Sequence, residues 1–184
     1  MPQDLVKTSK FLSRVLRHTP EAIGLALDRN GWADIAELIE KAGERGVTLT
    51  NELIAKVVAT SDKQRFAMDA SGRRIRANQG HSIDIDLGLE PGVPPEILFH
   101  GTAETSLTVI RVEGLKPGRR QHVHLSSCAE TAFRVGSRHG RPVVLRVSAG
   151  QMHAQGHEFF LSTNGVWLTE SVPIQFIALP QAKN

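Results

Sequence analysis

The sequence predicts an α+β protein made of two lobes of different texture. Three observations predict it. Residues 1–77 carry helical apolar periodicity ending in one short hairpin pattern, whereas residues 96–179 carry many short strand patterns with few helices. Between them, Glu90-Pro91-Gly92-Val93-Pro94-Pro95 removes backbone donors and bars helix, which makes it the linker and sets the expected lobes at 1–90 and 91–184. The 184 residues are 40% hydrophobic and 22% charged, the profile of an ordinary globular chain, so disordered and collagen-like classes are excluded.

In the first lobe Leu5, Leu12, Val15 and Leu16 fall on one helical face, and Thr19-Pro20 stops that helix just after Arg17-His18. Asp34 with Glu37 forms a capping box for a helix carrying Ile35, Leu38, Ile39 and Ala42, closed by Gly43. A third helix begins near Thr50 with Leu53, Ile54, Val57 and Val58 on its apolar side. Residues 65–69 and 73–77 flank the turn Ala70-Ser71-Gly72 as a hairpin. Three helices followed by a basic two-stranded hairpin is the order of a winged helix, a fold often used on nucleic acid.

The second lobe shows strand patterns at 96–100, 122–126, 142–148, 158–163, 166–170 and 174–179. Asn164-Gly165 between two of them signals a type I′ hairpin. Helical patterns fit only near 104–113 and 128–137, so a mixed, largely antiparallel sheet with two helices is expected.

Composition narrows the function. Cys128 is the single cysteine, which excludes an internal disulfide framework and zinc motifs built on paired thiolates. No apolar run reaches the ~18 residues of a membrane span, and MPQDLVKTSK lacks a signal-peptide core, so a cytoplasmic location without a membrane partner is expected. The 22 Lys+Arg against 19 Asp+Glu leave a net charge of only +3, but 15 of those cations are arginines, suited to planar oxyanion recognition. They are also clustered. Residues 7–18 hold Lys7, Lys10, Arg14, Arg17 and His18 with no acid, residues 73–76 hold Arg73, Arg74 and Arg76, and residues 111–146 hold eight basic residues against Glu113 and Glu130.

Several motifs bear chemistry. His100-Gly101-Thr102 ends a strand in a small-residue turn before a helix, where backbone N–H groups and a hydroxyl can meet a polar ligand; a structural histidine is the alternative. His122-Val123-His124 puts two imidazoles on one strand face, a spacing compatible with a metal, although no third ligand follows at a fixed spacing. Cys128 opens a helix, where a thiolate would be stabilised, and reads otherwise as a small core residue. Neither G-x-G-x-x-G nor the P-loop pattern occurs, so a nucleotide would be held in another way.

Seven ordered blocks carry a resemblance. They are Ser9-Lys10-x-Leu12-Ser13-x-x-Leu16-Arg17-His18, Lys63-Gln64-Arg65-Phe66, Ile75 to Ser82 (IRANQGHS), His100-Gly101-Thr102, Arg120 to Ser126 (RQHVHLS), Val135 to Gly140 (VGSRHG), and Ser162-x-Asn164-Gly165-Val166-Trp167-Leu168. Together they resemble the NAD-dependent RNA 2′-phosphotransferases (KptA, the tRNA 2′-phosphotransferases of tRNA splicing), in order over nearly the whole chain. The resemblance implies an N-terminal winged-helix lobe that binds RNA and a C-terminal ADP-ribosyltransferase-like lobe that binds NAD. It implies a monomer acting on RNA with an internal 2′-phosphate, with NAD as co-substrate and no metal.

The same resemblance assigns roles. The family's essential Arg, His, Arg, Arg set maps onto Arg17, His18, Arg65 and Arg120 as catalytic residues, with adjacent Arg119 the alternative for the last. His18 is expected as a proton donor, or otherwise as a plain phosphate contact. His100 and Thr102 are assigned to the adenosine-side ribose, His124 and Ser126 to the nicotinamide end, and Gly101, Arg138, Ser162, Gly165 and Val166 complete the expected NAD contacts. Lys10, Arg14, Arg76, Gln79 and His81 are the expected RNA contacts. Protein-modifying ADP-ribosyltransferases usually carry a glutamate where Val166 stands, a departure that favours a phosphate nucleophile. Two competing expectations are an ADP-ribosyltransferase that caps terminal phosphates of RNA or DNA, and a winged-helix sensor of NAD or ADP-ribose without turnover.

Overall fold

The computed structural model describes residues 3–61 and 63–179 and divides the chain into two units, Met1–Gly88 and Leu89–Asn184, each with its own apolar core. In the first, helix α1 (Gln3–Arg17) turns Leu5, Leu12, Val15 and Leu16 inward while Lys7, Lys10 and Arg14 stay exposed. Fully burying one such leucine contributes about 2 kcal/mol. Arg14 and Arg17 lie in the last turn, where a cation complements the negative end of the helix dipole.

Helix α2 (Ile35–Gly43) starts as expected, with the Glu37 N–H donating to the Asp34 carboxylate, but the reciprocal half of the box is absent. The Glu37 carboxylate instead accepts from the Ala26 N–H at 3.3 Å, tying the preceding loop to the helix. Helix α3 (Asn51–Ala59) is capped by the Thr50 hydroxyl. The hairpin is present as β2 (Phe66–Met68) and β3 (Arg74–Ala77), and a short strand that the periodicity missed, β1 (Ala33–Asp34), pairs with β3 on its other side. Two residues are too few to show alternation. Along β3 the period of two sends Ile75 and Ala77 into the core and Arg74 and Arg76 to the opposite face. Asp69 organises the turn by accepting from the Arg73 and Arg74 N–H groups and the Ser71 hydroxyl, bonds that pull its carboxyl down to about 2.

The second unit departs from a single sheet. It has two three-stranded antiparallel sheets, β4 (Leu98–Ala103) with β6 (Pro142–Val147) and β9 (Ile177–Ala178), and β5 (Val123–Leu125) with β8 (Trp167–Thr169) and β7 (Phe160–Leu161). A lone bridge joins β4 to the residue after β5, through paired bonds of 2.8 Å between Phe99 and Ser126. Residues 174–176, expected as strand, form a 3₁₀ turn. Three helices replace the expected two: α4 (Leu107–Glu113), α5 (Ala129–Gly136) and α6 (Ala149–Ala154), the last too short and glycine-interrupted to show a helical period. The Asn164-Gly165 turn is also wider than type I′, which needs positive φ at both central residues. Gly165 has φ +76°, but among the described residues Gln64 alone is a non-glycine with positive φ, so Asn164 stays in the ordinary region. The loop closes through Gly165 N–H to the Ser162 carbonyl and Ser162 N–H to the Val166 carbonyl, both at 2.9 Å.

Candidate functional site

In the first unit three chain segments converge on Arg17 and His18. The helix end delivers both, since α1 stops at Arg17 and Thr19-Pro20 turns the chain away. Arg17 Nη2 donates to the Arg65 carbonyl at 3.2 Å, and its guanidinium lies 5.8 Å from the Phe66 ring centroid, a cation–π distance that orients the fork. Arg65 enters through a strained loop: Gln64 has φ +40°, held by its N–H to the Ser61 carbonyl and by Asn78 Nδ2 donating to the Gln64 carbonyl at 2.5 Å. The Asn78 N–H reaches the Arg65 carbonyl as well. On the other side the Ser82 hydroxyl meets His18 Nδ1 at 2.9 Å. Arg17 and His18, expected with Arg65 as catalytic residues, thus lie against the Arg65 backbone, a cluster of basic residues of the kind that suits an oxyanion.

His81 is set apart from the other expected RNA contacts by its burial. Expected as an RNA contact, it is only 2% exposed, and among the described residues neither ring nitrogen has a hydrogen-bond partner. Burial first, and then the charges of Arg17, His18 and Arg76, pull its pKa down to about 4. The folded chain therefore holds His81 neutral, whereas the unfolded chain protonates it near 6.5. Its native fit is intact above pH 6.5 and is lost progressively as pH falls towards 4, a loss of about 3 kcal/mol at 1.36 kcal/mol per pKa unit. Thermal unfolding of the wild type should weaken across this window, and His81→Gln should weaken less; parallel curves for the two proteins would remove His81 as the cause.

The remaining expected RNA contacts differ in setting. Lys10 and Arg14 are exposed on α1, and Gln79 is half-buried. Arg76 lies over the Trp32 ring at 4.7 Å with Arg74 at 5.5 Å, so β3 presents an arginine pair stacked on an indole. Trp32, Asn78 and Ser82 carried no expected role. Asn78 and Ser82 sit inside the Ile75 to Ser82 block, the one sequence signal available for them.

In the second unit the Phe99–Ser126 bridge brings the end of β4 against β5. His100 Nδ1–H donates to the His124 carbonyl at 3.0 Å, and burial, with Arg120 adding repulsion, lowers the His100 pKa. A neutral ring pinned at Nδ1 offers Nε2 as an acceptor, which suits a ribose hydroxyl. Arg120 reaches His124 Nδ1 at 3.3 Å; a guanidinium can only donate, so His124 carries its proton on Nε2. Arg120 itself is exposed, yet neighbouring atoms shield the guanidinium enough to lower its pKa. It is Arg120, and not Arg119, that is bonded to His124.

Other expected NAD contacts have internal duties. Thr102 is buried, and the Ser162 hydroxyl is spent on the Asn164 side chain and on the Val166 carbonyl and N–H. Ser162 therefore shapes the Gly165-Val166 turn from inside. Arg138 is exposed just beyond α5. His122 packs edge-on against Phe160 at 5.9 Å while His124 turns to Arg120, and among the described residues no group of three His, Cys, Asp or Glu side chains is placed to hold a metal. Cys128 corrects its core reading. It is exposed at the start of α5, where the Thr131 and Glu130 N–H groups lower its pKa.

Comparison with known proteins covers almost the whole chain. A family model described as "RNA 2′-phosphotransferase, Tpt1 / KptA family" matches residues 3–171. A protein of Agrobacterium fabrum named "Probable RNA 2′-phosphotransferase" is 57% identical over 172 residues, 94% of this chain and 92% of that one. One of the same name from Hahella chejuensis is 53% identical over 179 residues, 97% of this chain and 96% of the relative. No described helix is long and apolar enough to cross a membrane.

Proposed function

Because the chain belongs to the Tpt1/KptA family of RNA 2′-phosphotransferases and is thereby a transferase, we propose that it transfers an internal RNA 2′-phosphate to NAD-derived ADP-ribose in two steps. In the first, a phosphate oxygen forms a bond to the anomeric carbon of the nicotinamide ribose as the bond to nicotinamide breaks, giving ADP-ribosylated RNA. In the second, the adjacent ribose 2″-hydroxyl attacks phosphorus and loses its proton, the phosphorus–RNA oxygen bond breaks, and that oxygen takes up a proton. The products are nicotinamide, RNA with a 2′-hydroxyl and ADP-ribose 1″,2″-cyclic phosphate.

The observation that carries this reading is the Arg17–Arg65 contact beside His18. A phosphate monoester is already nucleophilic near neutral pH, so the first step needs it positioned more than activated. Arginine forks do that bidentately. The second step spreads charge over phosphoryl oxygens and expels an alkoxide, so the guanidinium groups of Arg17, Arg65 and Arg120 and a proton from His18 act there. On the NAD side, the neutral His100 ring supports ribose binding, and His124 with a proton on Nε2 supports binding at the nicotinamide end. On this reading arginine cations take the part that a metal would otherwise play in neutralising phosphate.

The test supplies NAD and an oligoribonucleotide with one internal 2′-phosphate, with and without a chelator. The expected outcome is equal amounts of the three products at a rate the chelator leaves unchanged. RNA halted at the ADP-ribosylated stage would favour the capping reading, and absence of nicotinamide release would favour a sensor. A rate abolished by chelator and restored by a divalent ion would overturn the metal-free step and bring His122 and His124 back as ligands.

A further inference from the structure

We infer that Ser82 is a positioning residue for the proton donor: its hydroxyl holds His18 so that Nε2 is the ring nitrogen that carries the proton offered to the substrate. The inference rests on the two-step reading above for its catalytic consequence, but not for the geometry.

Ser82 is attached to the Arg17-His18 pair twice. Its N–H donates to the Arg17 carbonyl at 2.9 Å, and its hydroxyl meets His18 Nδ1 at 2.9 Å. The first bond satisfies one of the carbonyls that a helix leaves without an intrahelical partner at its C-terminus. That bond is made by backbone, so it places Ser82 against the end of α1 whatever side chain position 82 carries. The second bond is then short-range and directed, although both side chains are exposed.

A hydroxyl is one donor and also an acceptor, so Ser82 can hold Nδ1 in either protonation state of the ring. In the resting neutral ring we give the donor role to the Ser82 O–H, which puts the ring proton on Nε2. When His18 is cationic, Nδ1–H donates to the Ser82 oxygen and Nε2 is still protonated. A carboxylate at the same place would accept from Nδ1–H and leave Nε2 of the neutral ring a base. Ser82 thus suits the role that the second step requires of His18: the cationic ring delivers its Nε2 proton to the departing RNA oxygen, and the proton left on Nδ1 stays donated to the Ser82 oxygen. The neighbouring Asn78 does the equivalent for the backbone around Arg65, so the two ends of one five-residue segment, Asn78 to Ser82, brace the two sides of the cationic cluster.

Ser82→Ala, Ser82→Val and Ser82→Thr separate the hydroxyl from the space it fills, because all three keep the N–H to Arg17. Single-turnover assays on the full chain should show the second step slowed about tenfold in the alanine and valine variants, with ADP-ribosylated RNA accumulating, KM for RNA within about twofold of wild type, and threonine restoring the rate to within about threefold. Independently of turnover, ¹⁵N NMR of the His18 ring at neutral pH should report the Nε2–H tautomer in wild type and Ser82→Thr, and a mixture in Ser82→Ala. Alanine and valine variants as fast as wild type, or threonine as slow as alanine, would overturn the inference. So would an unchanged tautomer in Ser82→Ala. A wild-type chain that converts no substrate would instead count against the two-step reading, while the tautomer measurement still decides the role of Ser82.

Discussion

Gly101→Ala is expected to cost the second unit about 3 kcal/mol or more and to lower its unfolding midpoint by about 10 °C. The cause is steric and lies wholly in backbone. A Cβ at Gly101 would overlap the Ala132 carbonyl oxygen and would stand 2.6 Å from the Ala132 carbonyl carbon and 2.9 Å from the Gly136 nitrogen. No side chain is available to swing aside, so α5 would have to move off β4. The close approach is mutual, since a Cβ at Gly136 would meet the Thr102 oxygen at 2.7 Å. Gly43→Ala is the matched control: nothing lies within 4 Å of its Cβ position, and at the last residue of α2 it should be neutral or stabilising by up to about 1 kcal/mol. Calorimetry of both variants without NAD checks this. A Gly101→Ala protein as stable as wild type would show that α5 can retreat freely, and Gly101 would then owe its place to the ligand and not to packing.

Arg65→Ala and Arg120→Ala are each expected to slow the second step by about 10²-fold or more while slowing the first much less. In the first step of the proposed reaction the phosphate would lose negative charge as it attacks a cationic sugar carbon, so additional guanidinium groups would mainly hold it in place. In the second proposed step the hydroxyl would bring charge to phosphorus as the RNA oxygen leaves, and a missing donor would be felt where that charge develops. The environments of the two side chains differ. Arg65 follows the strained Gln64, whose carbonyl accepts from Asn78, and Arg120 reaches His124 Nδ1 at 3.3 Å. ADP-ribosylated RNA should therefore build up in both mutants and be scarce in wild type, resolved by gel over time. Equal losses in both steps would make these arginines binding residues.

Much of the local structure was legible in residue order. Apolar spacing located α1, α2 and α3, Thr50 and Asp34 marked helix starts, and Ala70-Ser71-Gly72 marked the hairpin, because these signals act between residues within a few positions of each other. The arginine-rich windows and the Arg17-His18 pair at a helix end were equally visible, since charge and helix termination are local properties.

Contacts between distant positions were not legible. No local rule says that Arg17 would bond to the carbonyl of Arg65, that Ser82 would reach His18 across 64 positions, or that His81 in the same block would be buried beside exposed Ser82. Nor does periodicity tell one sheet from two, because a strand pattern reports which face is covered and not which strand covers it. The sequence by itself determined most of the elements, the residue types and the family to which they belong, but not β1, α6 or the 3₁₀ turn at 174–176. Tertiary structure alone decided which ring nitrogen, which guanidinium and which glycine face one another, since hydrogen bonds and close backbone contacts are fixed by proximity in space, which packing creates and chain order does not encode one pair at a time.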